Sequence, residues 1–276
     1  MDLPPLHVHL DVWLFFGTLA AMYTIACRRH EERTGHATPR DRKVLFFVGL
    51  GLLWLGSDWP MHDLSEDYLY AAHMVQHMVF TLIAAPLLVT GIPAWMWRGL
   101  LSFGPLRRVF AFLVKPVMAL IVFNAVLLFV HWPAVVEASV SSELAHFSLH
   151  LLVVGSGIVM WWPVVSPLPE MPPISPPAQM LYLFFQSLAP TIPASFLTFG
   201  HQPLYGIYAT FPRIWGISAL SDQMLAGLIM KIVGGLILWG VIAAVFFRWA
   251  NREQRDGFDA LRWHGVDAEI RTELNR

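Results

Sequence analysis

Two histidine pairs in this chain repeat one spacing: His73 with His77, and His146 with His150, each four residues apart. On a helix that spacing puts both rings on one face, with Cβ atoms about 5–6 Å apart. One pair can fill two positions around a metal ion, and two facing pairs can supply four nitrogens. Met74 and Met78 form a parallel stripe one residue further on, and Met61 and Met224 lie at similar depth. Imidazole with thioether suits copper, the thioether favouring Cu(I) over zinc or magnesium. His62, in "SDWPMHDL", adds another imidazole. The candidate ligands are thus His73, His77, His146, His150, His62, Met74 and Met78. Acidic residues stand around them: Asp58, Asp63, Glu66, Asp67, Glu137, Glu143 and Asp222. Such a rim attracts cations, and Asp58 and Asp222 are placed to orient ring nitrogens from behind.

Each residue also has an ordinary reading. The methionine stripe fits helix or lipid packing, and Asp222 fits a cap on the last helix. His7, His9 and His201 fit interfacial side chains with water partners, and His131, in "FVHWPAV", fits capping as well as ligation. The tryptophans Trp54, Trp59, Trp95, Trp97, Trp132, Trp161 and Trp162 read as interfacial belts.

The elements that must position these groups are membrane helices. Of the 276 residues 56% are hydrophobic and 13% charged, whereas a soluble domain carries about 25% charged residues. The single cysteine, Cys27, excludes an internal disulfide, a CxxC motif and thiolate chemistry as the basis of function. A hydrocarbon core about 30 Å thick needs roughly 20 apolar residues per helix. Seven segments qualify, at about 10–28, 43–60, 71–92, 114–132, 146–165, 179–199 and 224–247. Pro86, Pro190 and Pro193 fall inside them, which neighbouring helices can accommodate. The first segment lacks a signal peptide's charged n-region and cleavage site, so it reads as a retained span. The fold expected is all-α: one integral-membrane domain over residues 1–276, with seven transmembrane helices.

Lysine and arginine set the expected orientation. Sixteen of the 18 lie in the first loop (Arg28, Arg29, Arg33, Arg40, Arg42, Lys43), the third (Arg98, Arg107, Arg108, Lys115) and the tail (Arg248, Arg252, Arg255, Arg262, Arg271, Arg276). These alternate segments share one side, which the positive-inside rule makes cytoplasmic. The proline-rich fifth loop, "SPLPEMPPISPPAQ", belongs there too. The N-terminus is then outside and the C-terminus cytoplasmic. Arg213 and Lys231 are the exceptions, Lys231 snorkelling or pairing with a carboxylate. His30, His36 and His264 fall on the cytoplasmic side as solvated residues. The other nine, His7, His9, His62, His73, His77, His131, His146, His150 and His201, all fall at the outer side. One face is therefore histidine-rich.

Such a face admits several functions. A copper-handling or metallochaperone protein would use open outer ligands. A haem carrier would need one histidine from each of two helices, but the inner halves of the spans lack histidine. A seven-span zinc hydrolase would hold zinc on three histidines, with Ser57 and Asp58 nearby and one position left to water. A di-iron desaturase is set aside, because no adjacent histidine pair exists here.

The run "AAHMVQHMVFTLIAAPLLVTGIPAW" resembles the signature helix of the CtaG family, the caa3-type cytochrome c oxidase assembly factors. "GSDWPMHDLS" before it, "HFSLHLLVVGSGIVMWWPVV" and "LSDQMLAGLIMKIVGG" extend the likeness over residues 43–247. The resemblance implies a multi-pass protein of a bacterial inner membrane, not an enzyme, that helps supply copper to the oxidase's catalytic subunit. His73 and His77 match the family's third span, His150 the fifth, and Asp222 with Gln223 the start of the seventh. Copper is the expected bound metal. The expected partners are a haem-copper oxidase subunit, a soluble extracytoplasmic copper chaperone and the lipid bilayer, with no nucleic acid. The family also resembles copper-resistance and copper-uptake proteins, which keeps transport as the alternative.

Overall fold

A computed structural model of the chain describes the backbone of residues 4–274 and the side chains of residues 4–255. The side chains of Arg262, His264, Arg271 and Arg276, placed above on the cytoplasmic side, lie outside the described residues. Among the described residues the chain is helical throughout, with no strand.

Helix α1 is Leu10–Thr34 and α2 is Arg40–Ser57, followed by the short α3, Met61–Asp67. Helix α4, Tyr70–Gly91, carries the first histidine pair. Next come α5 (Ala94–Leu100), α6 (Gly104–Leu113), α7 (Pro116–Val130) and α8 (Pro133–Ser141). The second histidine pair is on α9, Glu143–Val165. The set closes with α10 (Pro176–Phe199), α11 (Gly206–Thr210) and α12, which runs from Ala219–Leu228 through a π turn at Ile229–Val233 into Gly234–Leu274.

Five of these helices are long and apolar enough to cross a membrane, and up to seven do so if each bent pair is one span. The pairs are α2 with α3, bent by 43°, and α6 with α7, bent by 86°. All seven segments expected from composition fall on helix. The fourth is the shortest: the 15 residues of α7 cover only about 22 Å at 1.5 Å per residue. Pro116 opens α7 at a position where its missing N–H costs nothing, and the residue before a proline is driven out of the helical region. That local chemistry makes the sharp turn from α6. Leu14, Val117, Leu151, Phe196 and Leu236 are each 60–71% exposed, apolar surface of the kind that contacts lipid.

Helix α4 is central, packing on α2, α9 and α12. Its approach to α2 depends on Gly91: a Cβ there would stand 2.4 Å from the Phe46 backbone nitrogen. Small residues at such crossings let helices meet at backbone distance. Within α4 the residues Val79–Ala84 widen into a π turn, and Pro86 explains it. In π register Ala85 N–H donates to the Phe80 carbonyl, so the Thr81 carbonyl would fall to residue 86, a proline with no N–H. Trp161 Nε1 on α9 donates to Thr81 O instead, at 2.8 Å.

The two ends of the bundle differ chemically. At the end of α4 away from its histidines, Arg42 donates to the Thr90 carbonyl at 3.1 Å and His30 stacks on Trp95 with ring centroids 4.1 Å apart. Here Arg98 also bonds Glu170 at 2.8 and 3.1 Å through Nε and Nη2, so the third and fifth loops share one end. The Arg98 guanidinium holds the Glu170 carboxyl down, at about 2. Their ion pair is therefore present at neutral pH and is lost as pH falls through that value.

Candidate metal centre

The histidines gather at the other end. His7 and His9 precede α1, His62 is on α3, His73 and His77 are on α4, His131 ends α7, and His146 and His150 are on α9. Ring centroids link all of these in one network. His7 and His9 are 4.8 Å apart, His9 and His62 4.7 Å, and His62 and His146 5.4 Å. His146 and His150 are 4.1 Å apart, His73 and His77 4.3 Å, and His77 and His131 6.2 Å. The two i, i+4 pairs face each other: His73 and His77 lie 5.8 and 5.6 Å from His150. His201, sorted to the same side by sequence, is exposed on a separate loop.

Within the network three groups bring ligand atoms within 4.8 Å of one another: His73–His77–His150, His62–Glu66–His146 and His7–His9–Asp63. Imidazole nitrogens bind metals of this class at about 2.0–2.1 Å, so donors on one ion stand within about 4 Å of each other. Each group needs only a small closing movement. Several of the nitrogens involved have no hydrogen-bond partner although buried: His62 Nδ1, His73 Nδ1, His146 Nε2 and His150 Nε2. Buried polar atoms are ordinarily paired, and an orphan calls for an explanation such as an ion. His146 Nε2 stands 2.6 Å from Glu66 Oε1, yet neither atom has hydrogen-bonding geometry. Ser139 Oγ, 3.3 Å away, serves the other ring nitrogen of His146.

His131 is prepared in the same way. Its Nδ1 donates to the Leu127 carbonyl at 2.7 Å, which fixes the tautomer and leaves Nε2 as a buried lone pair without a partner. The two nitrogens of His131 therefore differ: Nδ1 caps the end of α7, and Nε2 is left without a hydrogen-bond partner.

Asp222 works on a different helix from the one its position suggests. Its carboxylate accepts from the backbone N–H groups of Tyr70 and Ala71, each at 2.9 Å, and Arg213 Nη1 stands 3.9 Å away. Leu69, the residue before helix α4, offers no capping side chain. Asp222 satisfies two of the orphan donors and adds a negative charge at the positive end of the helix. The cap of α12 itself is Ser218, which accepts from Ser221 N–H. Gln223, the next residue, donates to the Leu197 carbonyl at 3.3 Å.

The methionines point elsewhere. Met74 is fully buried and Met78 nearly so, both in the main apolar core with Leu82, Phe123 and Met230. A Cβ on Gly234 of α12 would meet Met78 Sδ at 3.1 Å. Asp58 is buried at the end of α2 and belongs to none of the three groups. Glu66, Asp63, His7 and His9 join these groups although they are not among the ligands expected from sequence. Glu66 had a visible signal, four residues after His62. Asp63 with His7 and His9 had none, because the contact joins segments 54 residues apart.

Fold and centre together define a polytopic helical protein of membrane character, with a histidine network at one end of its bundle. The profile of the cytochrome c oxidase caa3 assembly factors, Caa3_CtaG, matches residues 21–252. The chain belongs to that family, as the HMxxHM run of α4 indicated. No curated protein and no solved structure gives a significant match.

Proposed function

We propose that this assembly factor acts without catalysis, binding copper in its histidine network and passing it to the catalytic subunit of a haem-copper oxidase. In this reading it spans a bacterial cytoplasmic membrane seven times, with the histidine face outward and the Arg98–Glu170 end cytoplasmic. A soluble extracytoplasmic chaperone delivers the metal. The observation that carries the proposal is the His73–His77–His150 triad: three imidazoles from two helices with ligand atoms within 4.8 Å. Of these, His73 Nδ1 and His150 Nε2 are buried without partners. Imidazoles on packed helices place the donors of a borderline-soft ion close to where it needs them. Lability, which transfer requires, fits a site with further imidazoles beside it ready to exchange.

The test is genetic. His73→Ala/His77→Ala, expressed at normal level, is expected to lower copper content and activity of the oxidase in cells that depend on this protein. Unchanged copper and activity would remove the network from the delivery path.

One observation favours a zinc hydrolase as the second reading. Glu66 Oε1 stands 2.6 Å from His146 Nε2, and the His146 ring is 4.1 Å from that of His150 in the triad, a carboxylate beside clustered imidazoles of the kind that serves as general base for a metal-bound water. Stoichiometric zinc in the purified protein would select it.

A further inference from the structure

We infer that His7, His9 and Asp63 form a separate, outermost metal site. An ion held there passes through His62, Glu66 and His146 to the His73–His77–His150 triad. The inference rests on the copper-binding reading above. It goes further by giving the N-terminal segment a site and the three groups an order.

The segment bearing His7 and His9 lies outside the family match, which begins at residue 21, yet it is pinned to the helical bundle at two points. Trp59 Nε1 donates to the Pro4 carbonyl at 3.2 Å, and His9 Nε2 donates to Asp63 Oδ1 at 2.9 Å. A free N-terminal tail has neither contact. Here the pair of histidines is held over the mouth of the network.

Exposure falls from the first group to the two behind it. His7 is exposed, His9 half-buried and Asp63 buried; His62 and Glu66 are half-buried and His146 buried; His73 and His150 are half-buried and His77 buried. Ligand type changes in the same direction. The first two groups each offer two imidazoles and one carboxylate, and the last offers three imidazoles. Carboxylates draw an arriving cation by charge, while an all-nitrogen site is better matched to copper. The affinity therefore rises inward.

Each handover has a bridging pair. His9 and His62 are 4.7 Å apart, and His146 is 4.1 Å from His150 and 6.1 Å from His73. An ion can gain a nitrogen from the next group before releasing one from the last. Each step is a ligand exchange in which one metal–ligand bond forms as another breaks: nitrogens replace nitrogens, the Asp63 carboxylate gives way to that of Glu66, and the Glu66 oxygen gives way to a third imidazole. No electron moves, and the oxidation state of the ion is unchanged.

The experiment follows copper transfer from a coloured Cu(I)–chelator complex to the detergent-solubilised full chain, by rapid mixing and by final stoichiometry. In His7→Ala/His9→Ala the inner triad is expected to fill to the same final level as in the unsubstituted protein, but about tenfold or more slowly, the scale on which charged funnels raise capture rates. Asp63→Asn is expected to slow filling likewise. His73→Ala/His77→Ala is expected to keep the fast outer phase and lose the slow, tight one. Unchanged filling rates in both outer-site variants would overturn the ordered path while leaving copper binding intact. An unsubstituted chain that takes up no copper would overturn the copper reading itself, and the path with it.

Discussion

Asp222 shows most clearly how one side chain can set the geometry of a distant site. Its carboxylate holds the first two N–H groups of α4, and His73 follows within one turn. Replacing Asp222 by alanine is expected to cost about 1–2 kcal/mol, the scale of a lost helix cap. Thermal unfolding of the solubilised protein measures it; an unshifted transition would mean that α4 starts without this carboxylate. Part of the residue-level picture was legible beforehand. The i, i+4 spacing is a property of helix geometry, so the His73–His77 and His146–His150 pairs needed no tertiary information to be read. The partner of Asp222 did need it, because the capped helix begins 152 residues earlier in the chain. Met74 and Met78 share the spacing of the histidines but are turned about 100° around the helix, which sends them into the apolar core. The spacing was visible, but which stripe faced the site was not.

At the scale of elements, α4 and α9 are locked together beneath the histidines by the π turn. The Thr81 carbonyl has lost its helical partner to Pro86, and Trp161 supplies the replacement. Trp161→Phe keeps most of the ring volume but orphans that carbonyl in a buried seam. The expected loss is about 1–3 kcal/mol, read as a lower midpoint of thermal unfolding, whereas Trp132→Phe on the exposed surface should change little. Equal effects of the two would contradict the role given to the Trp161 hydrogen bond. The seven apolar segments read from composition all fall on helix, five of them long and apolar enough to cross a membrane unaided and up to seven with the bent pairs, since hydropathy reflects the solvent each helix meets. It could not find the two bends or the π turns. The bends at Pro60 and Pro116 and the π turn before Pro86 depend on where proline removes a donor and on whether another helix supplies one. Trp161, expected in an interfacial belt, is instead buried and bonded to α4.

The molecule as a whole is polarised. One end joins its loops by Arg98 and Glu170, and the other concentrates eight linked imidazoles from five parts of the chain. The rule that sorted arginines to one side also sorted these histidines to the other, and the Arg98–Glu170 contact agrees with the third and fifth loops sharing an end. Convergence into triads was not legible, because it requires α3, α4, α9 and the N-terminal segment to meet. The measurement that tests the central claim most directly is the metal content of the detergent-purified protein by mass spectrometry, with a visible spectrum of the same sample. Copper is expected in the unsubstituted chain, with a clear drop in His73→Ala/His77→Ala and no Soret band in either. A protein that stays empty after copper loading, or one that holds a haem or one zinc ion per chain in its place, would contradict that claim.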